Sequence, residues 1–261
     1  RVLIRPSGLM SERLNADSCK ILGLYFFNGS LADALELSRK GGLVVAPSGP
    51  GLASDLTNCG VYARALQEAD LVLPDSGLMC LWQKWFGAEA INRISGLTFL
   101  TGYLKSRSVE KESSFWIMPD EKQAKANLSW LSQNMDYSAR ECDVYIAPMY
   151  RKTGDIEDSI LLNKIRESKP STIFIQVGGG VQERLGLFLK NNLEYRPTIL
   201  CTGAALAFLS GEQVRIPSWV DRFYLGWLLR CFFAPSIYIP RYVKAFRLLY
   251  LLKKFGKECP F

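Results

Sequence analysis

The stretch Ala69–Leu78, ADLVLPDSGL, reads as an apolar strand that meets a proline and then sets Asp75 at a turn. An aspartate there can cap a helix beginning with Ser-Gly-Leu-Met. It can also act as a general base, provided partial burial raises its pKa toward the working pH. The chain contains no histidine, which removes the commonest general base and the commonest transition-metal ligand, so acid/base work falls to carboxylates. A carboxylate base without a histidine partner suits deprotonation of a hydroxyl that attacks an activated centre.

A second candidate is the run IFIQVGGGVQER. Gly178, Gly179 and Gly180 follow a strand and precede a helix, which lets backbone amides approach a phosphate at the positive end of that helix. The GxGxxG spacing and the Lys-Ser/Thr of a P-loop are both missing, so a tight strand-to-helix turn without a ligand explains the glycines equally well. Gln182 and Glu183 would lie in the first helical turn facing whatever the glycines hold, with a solvated Glu183 as the plainer alternative. Arg93, in INRISG, could clamp a diphosphate through paired hydrogen bonds, against the plainer expectation of a surface arginine. There is no Asp-x-Asp pair after a strand and no His/Cys cluster, so no catalytic metal is expected.

These residues need a frame. Short apolar runs at Lys20–Phe27, Gly42–Pro47, Asp70–Pro74, Ser114–Met118, Asp143–Ala147, Thr172–Val177 and Thr198–Thr202 each suit a buried strand. Segments of helical periodicity lie between them: Leu31–Arg39, Leu52–Gln67, Leu78–Phe86, Glu121–Gln133, Ile156–Glu167 and Val181–Asn191. The alternation predicts an α/β domain over residues 1–215, with a Rossmann-like, largely parallel sheet and flanking helices. Ligands of such sheets bind beyond the carboxyl ends of the strands, and Asp75, the Pro47–Gly51 segment and the glycine turn all follow strands directly.

The 261 residues are 48% hydrophobic, enough to fill a sizeable core. Seven cysteines without a CxxC pair suggest free thiols and a reducing compartment. No signal peptide and no spanning helix are expected. From Trp219 to Phe261, eight Lys and Arg face only Asp221 and Glu258, so six of the seven net positive charges lie in this tail. Residues 216–261 therefore form a separate, basic, amphipathic C-terminal appendage. After Pro240, Arg241, Lys244 and Arg247 alternate with Val243, Phe246, Leu248, Leu249, Leu251 and Leu252, the pattern of a helix lying in an anionic membrane surface. Docking of that helix on the core or on a partner subunit is the alternative, and homo-oligomerisation is left open. The aliphatic load is too high for a nucleic-acid surface.

Taken in order, VVAPSGP, ALQEADLVLPDSG, NRISG, VGGGVQER, FLSGEQVRIPSWV and LGWLLR resemble the successive blocks of the WecG/TagA/CpsF glycosyltransferase family, over roughly Leu43–Tyr242. The resemblance implies transfer of a sugar, with inversion, from a nucleotide-diphosphate donor to a lipid-linked acceptor, by an α/β domain with a membrane-recruiting C-terminal appendage. It makes Asp75 the catalytic aspartate and Arg93 the active-site arginine, and matches Gln182 and Glu183 to the family's Gln-Glu pair. Ser48 stands at the asparagine of its Thr-Pro-Asn segment. Arg215 matches its Arg-Ala-Pro arginine, and Arg230 is a cation reaching the donor diphosphate when the tail closes. Departures are Ala46 for the threonine, Ser48 for the asparagine, Ser76 for the turn glycine, Gly180-Val181 for Pro-Lys and Ala207 for an aspartate, which change polar groups that would hold the donor sugar.

The expected activity is metal-independent, cofactor-free transfer of a hexosyl or N-acetylhexosaminyl group from a nucleotide sugar, expected to be UDP-linked, to a lipid-linked or polysaccharide acceptor in bacterial cell-surface synthesis. Its expected place is cytoplasmic, peripheral at the inner face of the plasma membrane. A nucleotide-sugar-binding scaffold without turnover is the rival. A nucleotide-dependent oxidoreductase would need an acidic ribose partner about 20 residues beyond the glycine turn, for which Glu194 is a poor candidate for lack of a following strand.

Overall fold

The computed structural model describes residues 18–87, 89–106, 113–135, 137, 140–211, 239, 243 and 246–261. The first apolar run is not one strand. β1 (Ser18–Ile21) and β2 (Leu24–Phe27) pair antiparallel, with Ser18 opposite Phe27. Leu22 and Gly23 between them both take positive φ, 50° and 77°, as a two-residue type I′ hairpin turn requires. The single strand expected over Lys20–Phe27 is thereby corrected. α1 (Leu31–Ser38) follows, capped by Ser30, whose hydroxyl accepts from the Asp33 amide.

Six strands among the described residues form one parallel sheet: β3 (Gly42–Val45), β4 (Leu71–Val72), β5 (Ser114–Met118), β6 (Val144–Ile146), β7 (Thr172–Ile175) and β8 (Thr198–Cys201). Their spatial order is β4-β3-β8-β7-β5-β6, and each pairing is parallel. All but the edge strand β6 are buried along their whole length, which is why they read as continuous apolar runs rather than alternating ones.

The helices that follow α1 are α2 (Gly60–Gln67), α3 (Gly77–Phe86), α4 (Gly96–Lys105), α5 (Glu121–Met135), α6 (Ser159–Ser168), α7 (Val181–Asn192), α8 (Ala205–Ser210) and α9 (Arg247–Phe255). One sheet face packs Leu43, Val45, Ile173 and Ile175 against α2, α6 and α7. The other packs Val44, Trp116, Phe174 and Leu200 against α4, α5 and α8, with the Trp116 and Phe174 rings stacked at 3.9 Å. The continuous helix expected over Leu52–Gln67 is broken. A π-turn, Gly51–Asp55, leads into a helical turn at Leu56–Asn58, and extended backbone at Cys59 separates that turn from α2.

The described end of the chain is built into this domain. α9 buries Leu248, Leu251 and Leu252 against α3 and the π-turn. Beyond it, the Leu22 and Gly23 amides donate to the carbonyls of Gly256 and Lys257 at 2.9 and 3.1 Å. Three leucines expected to face a membrane are therefore core residues, while Val243, Phe246 and Tyr250 are exposed. Arg215, Arg230 and most of the expected appendage lie outside the described residues. No described helix is long and apolar enough to cross a membrane.

Candidate active site

The turn after β4 answers the capping question with Ser76. Its hydroxyl accepts from the Met79 amide at 3.3 Å and caps α3, so Asp75 is not the cap. The Asp75 carboxylate turns to another helix: its Oδ1 accepts from the Gly96 amide, the first residue of α4, at 3.0 Å. That amide is one of those at the α4 N-terminus with no acceptor within its own helix. Arg93 arrives at the same turn, its Nε donating to the Asp75 backbone carbonyl at 2.8 Å. Asp75 and Arg93 are both partly exposed, as groups that meet a substrate must be.

Ser48 lies beside this turn. Its carbonyl accepts from the Leu52 amide at 3.0 Å, its hydroxyl accepts from the Gly51 amide at 3.4 Å, and together they start the π-turn. A Cβ on the neighbouring Gly49 would stand 3.1 Å from the Ser76 hydroxyl, which measures how closely the segments after β3 and β4 approach. At the far end of the π-turn, an Asp55 carboxylate oxygen lies 3.0 Å from where a Cβ would stand on Gly180. The π-turn thus spans the gap between the Asp75 turn and the glycine turn.

The glycine turn itself is largely self-satisfied. Gly180 takes φ +85°, and its amide donates to Glu183 Oε2 at 2.7 Å. The amides of Val181 and Gln182 both donate to the Gly178 carbonyl, at 3.3 and 3.2 Å. Three amides that a phosphate would need are engaged internally, leaving Gly178 and Gly179 as the exposed part of the turn.

Gln182 is buried and joins two strand ends, its Nε2 donating to Glu183 Oε1 at 3.0 Å and its Oε1 accepting from the Gly203 amide at 2.7 Å. Glu183 is also buried rather than solvated. Loss of solvation pushes its pKa up from an ordinary 4.5 to about 7; the hydrogen bonds it accepts pull the other way, and Asp55 adds to the rise.

Residue-type reasoning passed over three neighbours. Arg184 is sealed in the interior, where its guanidinium donates to the carbonyls of Gly180, Gly154 and Arg151 at 2.7, 2.8 and 2.8 Å. It fastens the loop after β6 to the glycine turn. Asp55 and Tyr62 sat inside what read as an uninterrupted amphipathic helix, which gave no sign that the π-turn carries one of them to Gly180. Among the described residues, no group of three or more His, Cys, Asp or Glu is placed to hold a metal ion.

Against known proteins, the family model of the glycosyl transferase WecG/TagA/CpsF family matches residues 19–258. An N-acetylglucosaminyldiphosphoundecaprenol N-acetyl-beta-D-mannosaminyltransferase of Bacillus spizizenii is 24% identical over 216 residues, 80% of each chain. The enzyme of the same name from Bacillus subtilis is 24% identical over 224 residues, 82% of this chain and 83% of that one. The one from Staphylococcus aureus is 21% identical over 229 residues, 85% and 87%. With a match that runs almost from end to end, the chain belongs to the glycosyl transferase WecG/TagA/CpsF family.

Proposed function

We propose that this glycosyltransferase moves a sugar, with inversion, from a UDP-linked donor to a hydroxyl of a lipid-linked acceptor in bacterial cell-surface polysaccharide synthesis. The observation that carries the mechanism is the placement of Asp75 at the β4 turn, its carboxylate bonded to the start of α4 and its carbonyl to Arg93. The names of the relatives, which act on N-acetylglucosaminyldiphosphoundecaprenol, support a lipid-linked acceptor.

In this mechanism Asp75 takes the proton from the acceptor hydroxyl as that oxygen attacks the anomeric carbon. The bond from that carbon to the diphosphate oxygen breaks with its electron pair, and a single in-line displacement inverts the centre. Charge developing on the leaving diphosphate is met by cations, for which Arg93, Arg215 and Arg230 are the candidates, and by the exposed Gly178 and Gly179. No metal or cofactor is required. Gln182 and Glu183 hold the β7 and β8 ends in register beneath the donor.

The donor sugar is open to change. Ala207 is buried on α8 and offers no side-chain polar group where the family pattern has an aspartate, and Ala46 lacks the hydroxyl of the family threonine.

The test begins with thermal shift against UDP-, GDP-, CMP- and dTDP-sugars, since a ligand at 100 times its Kd adds about 2.7 kcal/mol of stability. The stabilising donor is then incubated with an N-acetylglucosaminyl diphospholipid, and the product's anomeric configuration is read by NMR. Transfer with inversion is expected. Donor binding without any transfer would point instead to a scaffold.

A further inference from the structure

Arg93, which donates to the Asp75 carbonyl, belongs to a stretch, Ala90–Ser95, that is neither helix nor strand. Two buried side chains pin this stretch: Ile91 enters the core on one sheet face and Ile94 the core on the other. Between them the backbone passes from one core to the other and carries Arg93 with it. Downstream, the Gly96 amide is held by the Asp75 carboxylate at 3.0 Å. The upstream end is held from a different element.

Asn28 follows β2 directly, and β2 lies against β4. The Asn28 Oδ1 accepts from the Asn92 amide at 2.9 Å, and its Nδ2 donates to the Ala90 carbonyl at 3.1 Å. Those two backbone groups flank Ile91 and are the pair that a residue of a parallel strand would engage, so one side chain stands in for a strand. The carboxamide suits this because it carries a donor and an acceptor on one planar group, whereas a carboxylate of the same shape can only accept. An amide can only donate and a carbonyl can only accept, so the two partners also fix which way the carboxamide points. Asn28 is only partly buried, and truncating it opens no cavity in either core.

We propose that Asn28 is a positioning residue for Arg93: its two hydrogen bonds to the Ala90–Asn92 backbone hold the guanidinium at the Asp75 turn. This rests on the glycosyl-transfer function proposed above, in which Arg93 meets charge on the leaving diphosphate. Asn28 itself touches no reacting atom. Its effect passes through the backbone that carries Arg93, and an aimed cation is worth more to the transition state than one that must first be ordered.

Two measurements on the intact chain test it. In 15N NMR the Arg93 Nε–H resonance, identified by its absence from Arg93→Lys, should exchange slowly with water in wild type. In Asn28→Ala, which should still melt in one cooperative transition, that exchange should be about tenfold faster, as for a group whose local support is lost. In kinetics, Asn28→Ala should lower the transfer rate at saturating donor by about ten- to a hundredfold while donor Kd stays near the wild-type value, because the support acts on charge that develops in the transition state. In an Arg93→Ala background, Asn28→Ala should have no further effect on that rate, since both act through one guanidinium. Unchanged Arg93 Nε–H exchange in Asn28→Ala overturns the positioning role, and so does an equal loss of rate with and without Arg93. If Arg93→Ala alone transfers at the wild-type rate, the part given to Arg93 in the transfer falls, and the role of Asn28 in it falls too. Failure of wild type itself to transfer sugar would overturn the glycosyl-transfer reading and not the hold on Arg93, which the exchange measurement decides alone.

Discussion

A 3.0 Å hydrogen bond from the Gly96 amide to Asp75 Oδ1 ties the turn after β4 to the first residue of α4. Ser76, the next residue, caps α3. Two adjacent side chains thus serve two helices, and their functions can be separated by substitution.

Ser76→Ala removes a helix cap and should cost about 1 kcal/mol of stability. Because Asp75 keeps its own bond to α4, turnover per folded molecule should change by less than a few-fold. Urea denaturation together with an activity titration checks both. A hundredfold loss of turnover would place Ser76 in the chemistry.

Glu183 sets a pH dependence with a definite sign. Its folded-state pKa of about 7 stands above the ordinary 4.5, so the folded protein keeps a proton that the unfolded chain releases. The stabilisation is fully present below 4.5 and is lost as pH rises toward 7, by on the order of 3 kcal/mol if the whole shift is expressed. Denaturation of wild type and Glu183→Gln at several pH values across that window should give a wild-type curve that falls more steeply. Parallel curves would show that Glu183 does not titrate there.

Arg184 holds three carbonyls from inside the protein. Lysine keeps the charge but cannot span that fork, so Arg184→Lys should destabilise by on the order of 3 kcal/mol. It should also loosen the loop around Arg151–Gly154, read as faster amide exchange at those residues. Unchanged stability and exchange would contradict the clamp.

The parallel sheet was legible because strands buried on both faces read as apolar runs, as Phe115–Met118 and Ile173–Ile175 do. α4 was missed: GLTFLTGYLK carries two Thr and an internal Gly, which are weak helix formers. Its Ser95 cap, accepting from the Thr98 amide at 3.1 Å, was the one local signal. Asp75 stood out from its turn, but its partner on α4 depends on tertiary packing. At the glycine turn, Glu183, three residues on, accepts from the Gly180 amide, a partner that local patterning did not assign.

The tail was read as a helix lying in an anionic membrane surface, with docking on the core as the alternative, because charge and apolar residues alternate there, a pattern that fits both. Since Leu248, Leu251 and Leu252 are core residues, truncation before Trp219 should destabilise the domain and cannot test membrane recruitment cleanly. Charge reversal at the exposed Lys253, Lys254 and Lys257 is the better variant. At about 1 kcal/mol for each lysine near an anionic leaflet, affinity for phosphatidylserine-rich liposomes should fall about a hundredfold or more. Turnover on a soluble acceptor should be preserved. Unchanged co-sedimentation would reject a membrane role for this segment.

The central claim is that Asp75 takes the acceptor proton, and single-turnover transfer by Asp75→Asn tests it most directly. The amide oxygen of asparagine can still accept from Gly96, so folding and donor affinity should match wild type. The transfer rate should fall by about 10²–10⁴-fold, the usual effect of removing a general base. Transfer within a few-fold of wild type, in a variant that binds donor normally, would contradict the assignment and leave Asp75 a structural tie between β4 and α4.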